Sequence, residues 1–151
     1  MMTSDLPVRV QRTNLVVADL ERAYRVYRDI LGFELDFTLG HRPESYSFVV
    51  FQIPREATTG FAALSSKDQV RSLALTEIKG VELPEPNLPS SHALVLEVDD
   101  IDGVLEAARA EGLHIFPEET LRTHDGRVGR EIGMLDHDGH LIVLYCILQS
   151  S

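Results

Sequence analysis

Apolar positions along the chain change period twice, and in the same way each time. A strand-like run from Asn14 to Val17 gives way to Leu20, Ala23, Tyr24, Tyr27 and Leu31, at i, i+3, i+4, i+7 and i+11. A second run, Ala93 to Val98, leads into Ile101, Val104, Leu105 and Ala108, which repeat the first four of those spacings. A period near 3.6 predicts a helix with one buried stripe in each place. Asp19 and Asp100 precede the two stripes as N-caps, because a carboxylate can accept from the free N–H groups of a first turn. Gly32 and Gly112 follow them where a left-handed residue would stop each helix. Val17-Ala18-Asp19-Leu20-Glu21 is thus answered 81 positions later by Val98-Asp99-Asp100-Ile101-Asp102, an internal repeat.

After each helix the pattern predicts strands. In the first half they are Phe33 to Leu39, Tyr46 to Ile53 and Gly60 to Ser65; in the second, Leu113 to Phe116, Gly129 to Leu135 and His140 to Leu148. Breakers separate them: Gly40-His41-Arg42-Pro43, Pro54-Arg55-Glu56, His124-Asp125-Gly126 and Asp136-His137-Asp138-Gly139. Each half therefore reads strand–helix–strand–strand–strand. One domain over residues 1–151 is expected, with module one at 7–79, module two at 92–148 and a linker at 80–91. Pro84, Pro86 and Pro89 favour extended chain in that linker.

Composition narrows the function classes. A formal net charge of −10 argues against nucleic acid as a partner, since neutralising phosphates needs a basic surface. No apolar run approaches the roughly 20 residues that span a bilayer, and Met1 to Asp5 carries no secretory pattern, so no membrane partner is expected. The single cysteine, Cys146, cannot form an internal disulfide, which fits a cytoplasmic protein. Its strand parity puts it on the helix side, as a small hydrophobe rather than a nucleophile.

The duplicated βαβββ pattern resembles the vicinal-oxygen-chelate superfamily of glyoxalase I, bleomycin resistance and extradiol dioxygenase proteins. The resemblance is carried by Arg12 to Ala23, Tyr27, Leu31-Gly32-Phe33, His92 to Asp99, and Leu135-Asp136-His137-Asp138-Gly139-His140 running into Leu141 to Tyr145. His137 stands where the family usually writes proline. The resemblance implies an α+β fold in which each module curls a mixed sheet into a half-barrel and two modules enclose a cavity. It also implies a homodimer, with modules paired within a chain or across it. The fold alone does not specify an activity.

In metal-dependent members the resemblance places a His, Gln or Glu ligand on the first and last strand of each module. The corresponding positions here are Arg12, Ala63, Ala93 and Val143. Alanine and valine offer no lone pair, and an arginine repels a divalent cation. Strand parity supports this register. With Arg12, Asn14 and Val16 on the cavity face, Thr13, Leu15 and Val17 face the helix. With Ala93, Val95 and Glu97 on the cavity face, Leu94, Leu96 and Val98 face the helix. No cofactor is expected, and Zn, Ni, Fe or Mn only through displaced ligands.

The expected ligand-binding set is Arg12, Asn14, Ala63, Ala93, Glu97, Val143 and Tyr145. Arg12 would hold an oxyanion, or pair with Glu97. Glu97 and Tyr145 are the catalytic candidates if a reaction occurs, Glu97 as a base raised by apolar walls and Tyr145 as a ligand-orienting hydroxyl. Asp136-His137-Asp138 and His140 have neither helical His-pair nor EF-hand spacing and read as a polar hairpin. Arg122 to Arg127 reads as a solvated loop or a cover for the cavity mouth. Two functions from different classes remain: a metal-free cavity binding a small anionic or aromatic molecule, and a lyase, isomerase or dioxygenase working without metal or through non-standard ligands.

Overall fold

The computed structural model describes residues 3–149. β1 (Thr13–Val17) leads into α1 (Leu20–Tyr24), which continues as a π-helical segment over Arg25–Ile30. Then come β2 (Glu34–Leu39), a single helical turn α2 (Ser47–Val50), β3 (Thr58–Ser66) and β4 (Gln69–Lys79). The second module contains β5 (Leu94–Glu97), α3 (Ile101–Ala110), β6 (Glu119–Arg122), β7 (Val128–Leu135) and β8 (Leu141–Gln149). Two open four-stranded mixed sheets result, in the orders β1-β4-β3-β2 and β5-β8-β7-β6. The first strand of each module runs parallel to its last, β1 beside β4 and β5 beside β8, and the other pairings are antiparallel. The fold is α+β, two βαβββ modules.

The caps expected from sequence are in place. Asp19 Oδ1 accepts from Arg22 N at 3.2 Å, and Asp100 Oδ1 from Gly103 N at 3.0 Å. The Arg22 amide holds the Asp19 carboxyl below its ordinary range, although partial burial opposes this. Gly32 and Gly112 end the helices at φ of +85° and +81°, a region that glycine enters without a Cβ penalty. The π segment, with Leu31 N donating to Val26 O at 2.9 Å, adds a residue to one turn. Val26 is buried as a result, beside the expected Ala23, Tyr24 and Tyr27.

Parity is as expected. Leu15, Val17, Leu73, Leu75, Ala62 and Leu64 turn toward the helices in module one, as do Ile142, Leu144, Ile132 and Met134 in module two. All belong to one continuous core that spans both modules, against which Cys146 also packs. The opposite, open faces carry Arg12, Asn14, Val95 and Glu97, all exposed.

Three strand expectations need correction. Tyr46 to Ile53 is no strand: it forms α2 and a turn in which Gln52 takes φ +55°. A short apolar run does not by itself distinguish strand from helix, and Pro43 and Pro54 leave this one too little length to pair. Leu113 to Phe116 contributes only an isolated bridge, Ile115 to Met134, and the strand beside β7 is Glu119–Arg122. The last strand of module one is Gln69–Lys79, so Ala63 lies on the third strand rather than the fourth.

The modules are joined by polar groups as well as by the core. The turn Asp136 to His140 reaches across to β1. Asp138 Oδ1 accepts from Ala18 N and from Arg22 Nη2, each at 2.9 Å, and His140 donates from Nε2 to Val16 O at 2.7 Å. The hydroxyl of fully buried Tyr27 donates to Asp136 Oδ2 at 2.6 Å. Burial, and then the Asp136 charge, push the Tyr27 phenol well above its ordinary pKa. Asp136 Oδ1 meanwhile accepts from the amides of Asp138 and His140. At the rim, Glu111 accepts from Arg25 Nε and His137 Nε2, both at 2.8 Å. The Asp-His-Asp-Gly hairpin is therefore a clasp between modules.

Candidate functional site

The open face of module one is roofed at one end by residues 40–57. Phe48, Ile53 and Ala57 pack with Ile78 of β4, and Val16, Val81 and Leu83 border this small core. Arg55 stacks over the Phe48 ring, 5.0 Å from its centroid, and donates to Pro43 O at 3.1 Å, tying the roof together. Thr59 N donates to His41 Nδ1 at 3.0 Å, so this ring carries no proton on that nitrogen.

Between roof and sheet lies a cavity of about 260 Å³, lined by Leu39, Gly40, Arg42, Ser45, Ser47, Thr59, Gly60, Phe61 and Thr76. Phe61 and Thr76 are cross-strand partners, so their side chains project to the same side of the sheet. The Thr76 hydroxyl donates to Asn14 Oδ1 at 2.8 Å, which fixes the Asn14 amide at the edge of this face. Arg42 meets Glu44 only through Nε, at 3.3 Å and exposed to solvent. The guanidinium thus remains able to fork onto a carboxylate or phosphate. One guanidinium, the serines at 45 and 47, Thr59 and an aromatic wall thus share one cavity.

The residues expected from sequence share the open side of the molecule but do not converge. Asn14 reaches this cavity through Thr76. Ala63 faces the same side of β3, in register with Phe37 and Ala74. Arg12 is exposed, and its Nε donates to Arg71 O at 3.3 Å. No ion pair joins it to Glu97 among the described residues, so the expected alternative role does not hold. Ala93 is exposed just before β5. Val143 and Tyr145 are half-buried on the open face of module two. There Glu97, Tyr145, Glu131 and Glu119 form one transverse row across four strands by register. Arg42, Ser45, Ser47, Thr59, Phe61 and Thr76 were not legible as a site. Their only signal is the bracketing of residues 40–57 by glycine and prolines.

Register also corrects the fourth position where relatives would place a metal ligand. Asn14 pairs with Ala74, and its repeat partner Val95 pairs with Val143. Ala74, rather than Ala63, is therefore the module-one counterpart of Val143. The donor set becomes Arg12, Ala74, Ala93 and Val143, which supplies no lone pair to a divalent ion and so does not fit one. Among the described residues no three His, Cys, Asp or Glu side chains gather closely enough to hold a metal. No helix is long and apolar enough to cross a membrane.

Comparison with known proteins agrees with the fold. The family model for the Glyoxalase/Bleomycin resistance protein/Dioxygenase superfamily matches residues 9–144. Among solved structures, a glyoxalase family protein from Bacillus cereus is 17% identical, covers 99% of this chain and 100% of its own, and superposes with a TM-score of 0.74. The glyoxalase I of Leishmania major is 20% identical over 91% of this chain and 85% of its own, with a TM-score of 0.61. A fosfomycin resistance protein from Mesorhizobium loti is 18% identical over 93% of each chain, with a TM-score of 0.59. No curated protein matches the sequence.

Proposed function

The chain belongs to the Glyoxalase/Bleomycin resistance protein/Dioxygenase superfamily, and within it we propose a protein that binds a small organic anion with an aromatic or apolar body, independently of a divalent metal. The observation that carries this reading is the roofed cavity of module one. Arg42 lines it together with Ser45, Ser47 and Thr59, and Leu39 and Phe61 supply the apolar wall. Arginine recognises carboxylates and phosphates bidentately, and an aromatic wall gives the rest of the ligand a surface to bury. A volume of about 260 Å³ lies just below the roughly 300–1,000 Å³ of ordinary ligand pockets, so the ligand is small.

The proposal includes a second copy of the chain. Phe37 and Leu39 remain 42% and 37% exposed beside the cavity, an apolar margin that association would cover. Light scattering behind a sizing column is expected to give twice the chain mass, and a monomer at micromolar concentration would remove this part.

The binding reading is tested with benzoate, titrated calorimetrically into protein purified without chelators. Binding is expected to be unchanged by EDTA and weakened at least tenfold by Arg42→Ala. Stoichiometric Zn, Ni, Fe or Mn, together with loss of benzoate binding on chelation, would refute it.

A further inference from the structure

A second cleft, about 610 Å³, lies where the two modules meet. β1 and β5 are the terminal strands of their sheets, and both border it: Thr13 from one, Leu94, Val95 and Leu96 from the other. Phe33 and Leu73 lie at its core side, and Val10 and Val70 add apolar wall. Its charged lining is uneven. Arg9 and Arg12 supply two guanidiniums, and Asp68 is the only carboxylate among the lining residues.

What sets this pair of arginines apart is that both line one cleft without a carboxylate. Of the ten other arginines, seven hold a carboxylate within 4.0 Å, and among the described residues Arg55, Arg109 and Arg122 do not. Such pairing is the natural outcome in a protein with ten more acidic than basic side chains. Arg9 and Arg12 have no such partner among the described residues, yet they face one cleft. Arg12 Nε is occupied by Arg71 O at 3.3 Å, which anchors the side chain and leaves its two terminal nitrogens available. Nearby, Ser66 Oγ donates to Gln69 Oε1 at 2.7 Å and lies 2.6 Å from Ser72 Oγ. With Gln69 Oε1 accepting, the amide nitrogen of Gln69 is left as a donor on the same wall.

We propose that this junction cleft is a second binding site, separate from the module-one cavity, that takes an organic phosphate. The dianionic head meets the two guanidiniums and the Gln69 amide, and the organic body lies along Val70, Leu94 and Val95. A phosphate monoester matches two guanidiniums in charge, whereas a monocarboxylate satisfies one and leaves the other uncompensated. The apolar wall selects an ester with a hydrophobic group over the free ion.

The experiment titrates phenyl phosphate at low salt into the wild-type protein and three variants, Arg9→Ala, Arg12→Ala and Arg42→Ala, followed by amide chemical shifts. Phenyl phosphate is expected to perturb the signals of residues 9–13 and 69–73. Arg9→Ala and Arg12→Ala should each weaken the binding that these signals report at least tenfold, and Arg42→Ala should leave that response unchanged, whatever it does to signals around the module-one cavity. Benzoate binding at the module-one cavity should survive Arg9→Ala, so either site can fail without the other. Arg9 precedes β1 in an exposed segment, and its variant keeps the test valid should Arg12→Ala disturb folding. Absence of phenyl phosphate binding at millimolar concentration would overturn the proposal. So would weakening of the response at residues 9–13 and 69–73 by Arg42→Ala without weakening by the other two variants.

Discussion

Replacing Tyr27 with phenylalanine removes one oxygen atom from the centre of the clasp and changes nothing in shape. That oxygen donates to Asp136 Oδ2 at 2.6 Å, between residues that are 0% and 6% exposed. Water cannot take its place without opening the core. A hydrogen bond to a charged group contributes about 1.5–3 kcal/mol, so Tyr27→Phe is expected to cost about 2 kcal/mol. At a urea slope of about 2 kcal/mol per molar, the midpoint should fall by about 1 M. For a chain of this size the melting temperature should drop by about 4–8 °C. Equilibrium urea unfolding followed by far-ultraviolet circular dichroism measures this directly. A double-mutant cycle with Asp136→Asn should show coupling of about 1–2 kcal/mol, because the two groups share one bond. Because one core spans both modules, the wild-type transition should also be single. A cost below about 0.5 kcal/mol, or two additive single mutants, would show that the Tyr27–Asp136 bond does not hold the modules together.

Further outcomes follow from other contacts. Arg25, and then His137, hold the Glu111 carboxyl below its ordinary 4.5. Its contribution is therefore complete above that value and lost as the pH falls through the lower, folded value. Urea midpoints between pH 7 and pH 3 should fall less below about 4.5 in Glu111→Gln than in wild type, and parallel curves would refute the pairing. At Gly129 an added Cβ would lie 2.1 Å from Cys146 O, a backbone atom in the paired strand. Gly129→Ala should cost about 1–3 kcal/mol in thermal unfolding, and a neutral result would show that the β7–β8 register adapts. Leu64 is fully buried in the shared core, and Leu64→Ala should cost about 2–5 kcal/mol in the same assay.

Much of the fold was legible because local signals agreed with the global arrangement. The aspartates at 19 and 100, the helical stripes and the glycines at 32 and 112 each act through contacts within a few residues, and each was readable. Strand parity was equally plain in β1 and β5, where one face is core and the other open. β4 escaped because its turn hides its chemistry. Asp68 and Arg71 adopt φ of +59° and +52° without a glycine to announce it. Missing that strand displaced the last-strand position from Ala74 to Ala63. The roofed cavity was illegible for a different reason. Arg42, Ser45 and Thr76 come together only once Phe48, Ile53 and Ile78 pack, a contact between segments about 25 residues apart. The clasp was visible as a polar turn, but its partners Val16, Ala18 and Arg22 lie more than 110 positions away.

That separation has a consequence during synthesis. Domains commonly fold as they emerge, N-terminal part first. Here β1 and the first helix are complete early, yet Ala18 N, Val16 O and the Tyr27 hydroxyl receive their partners only when residues 136–140 have been made. A ribosome-bound chain that has produced only module one carries unmatched polar groups and half of a shared core. The nascent first module is then a waiting surface, and the chain reaches its final state in one late step.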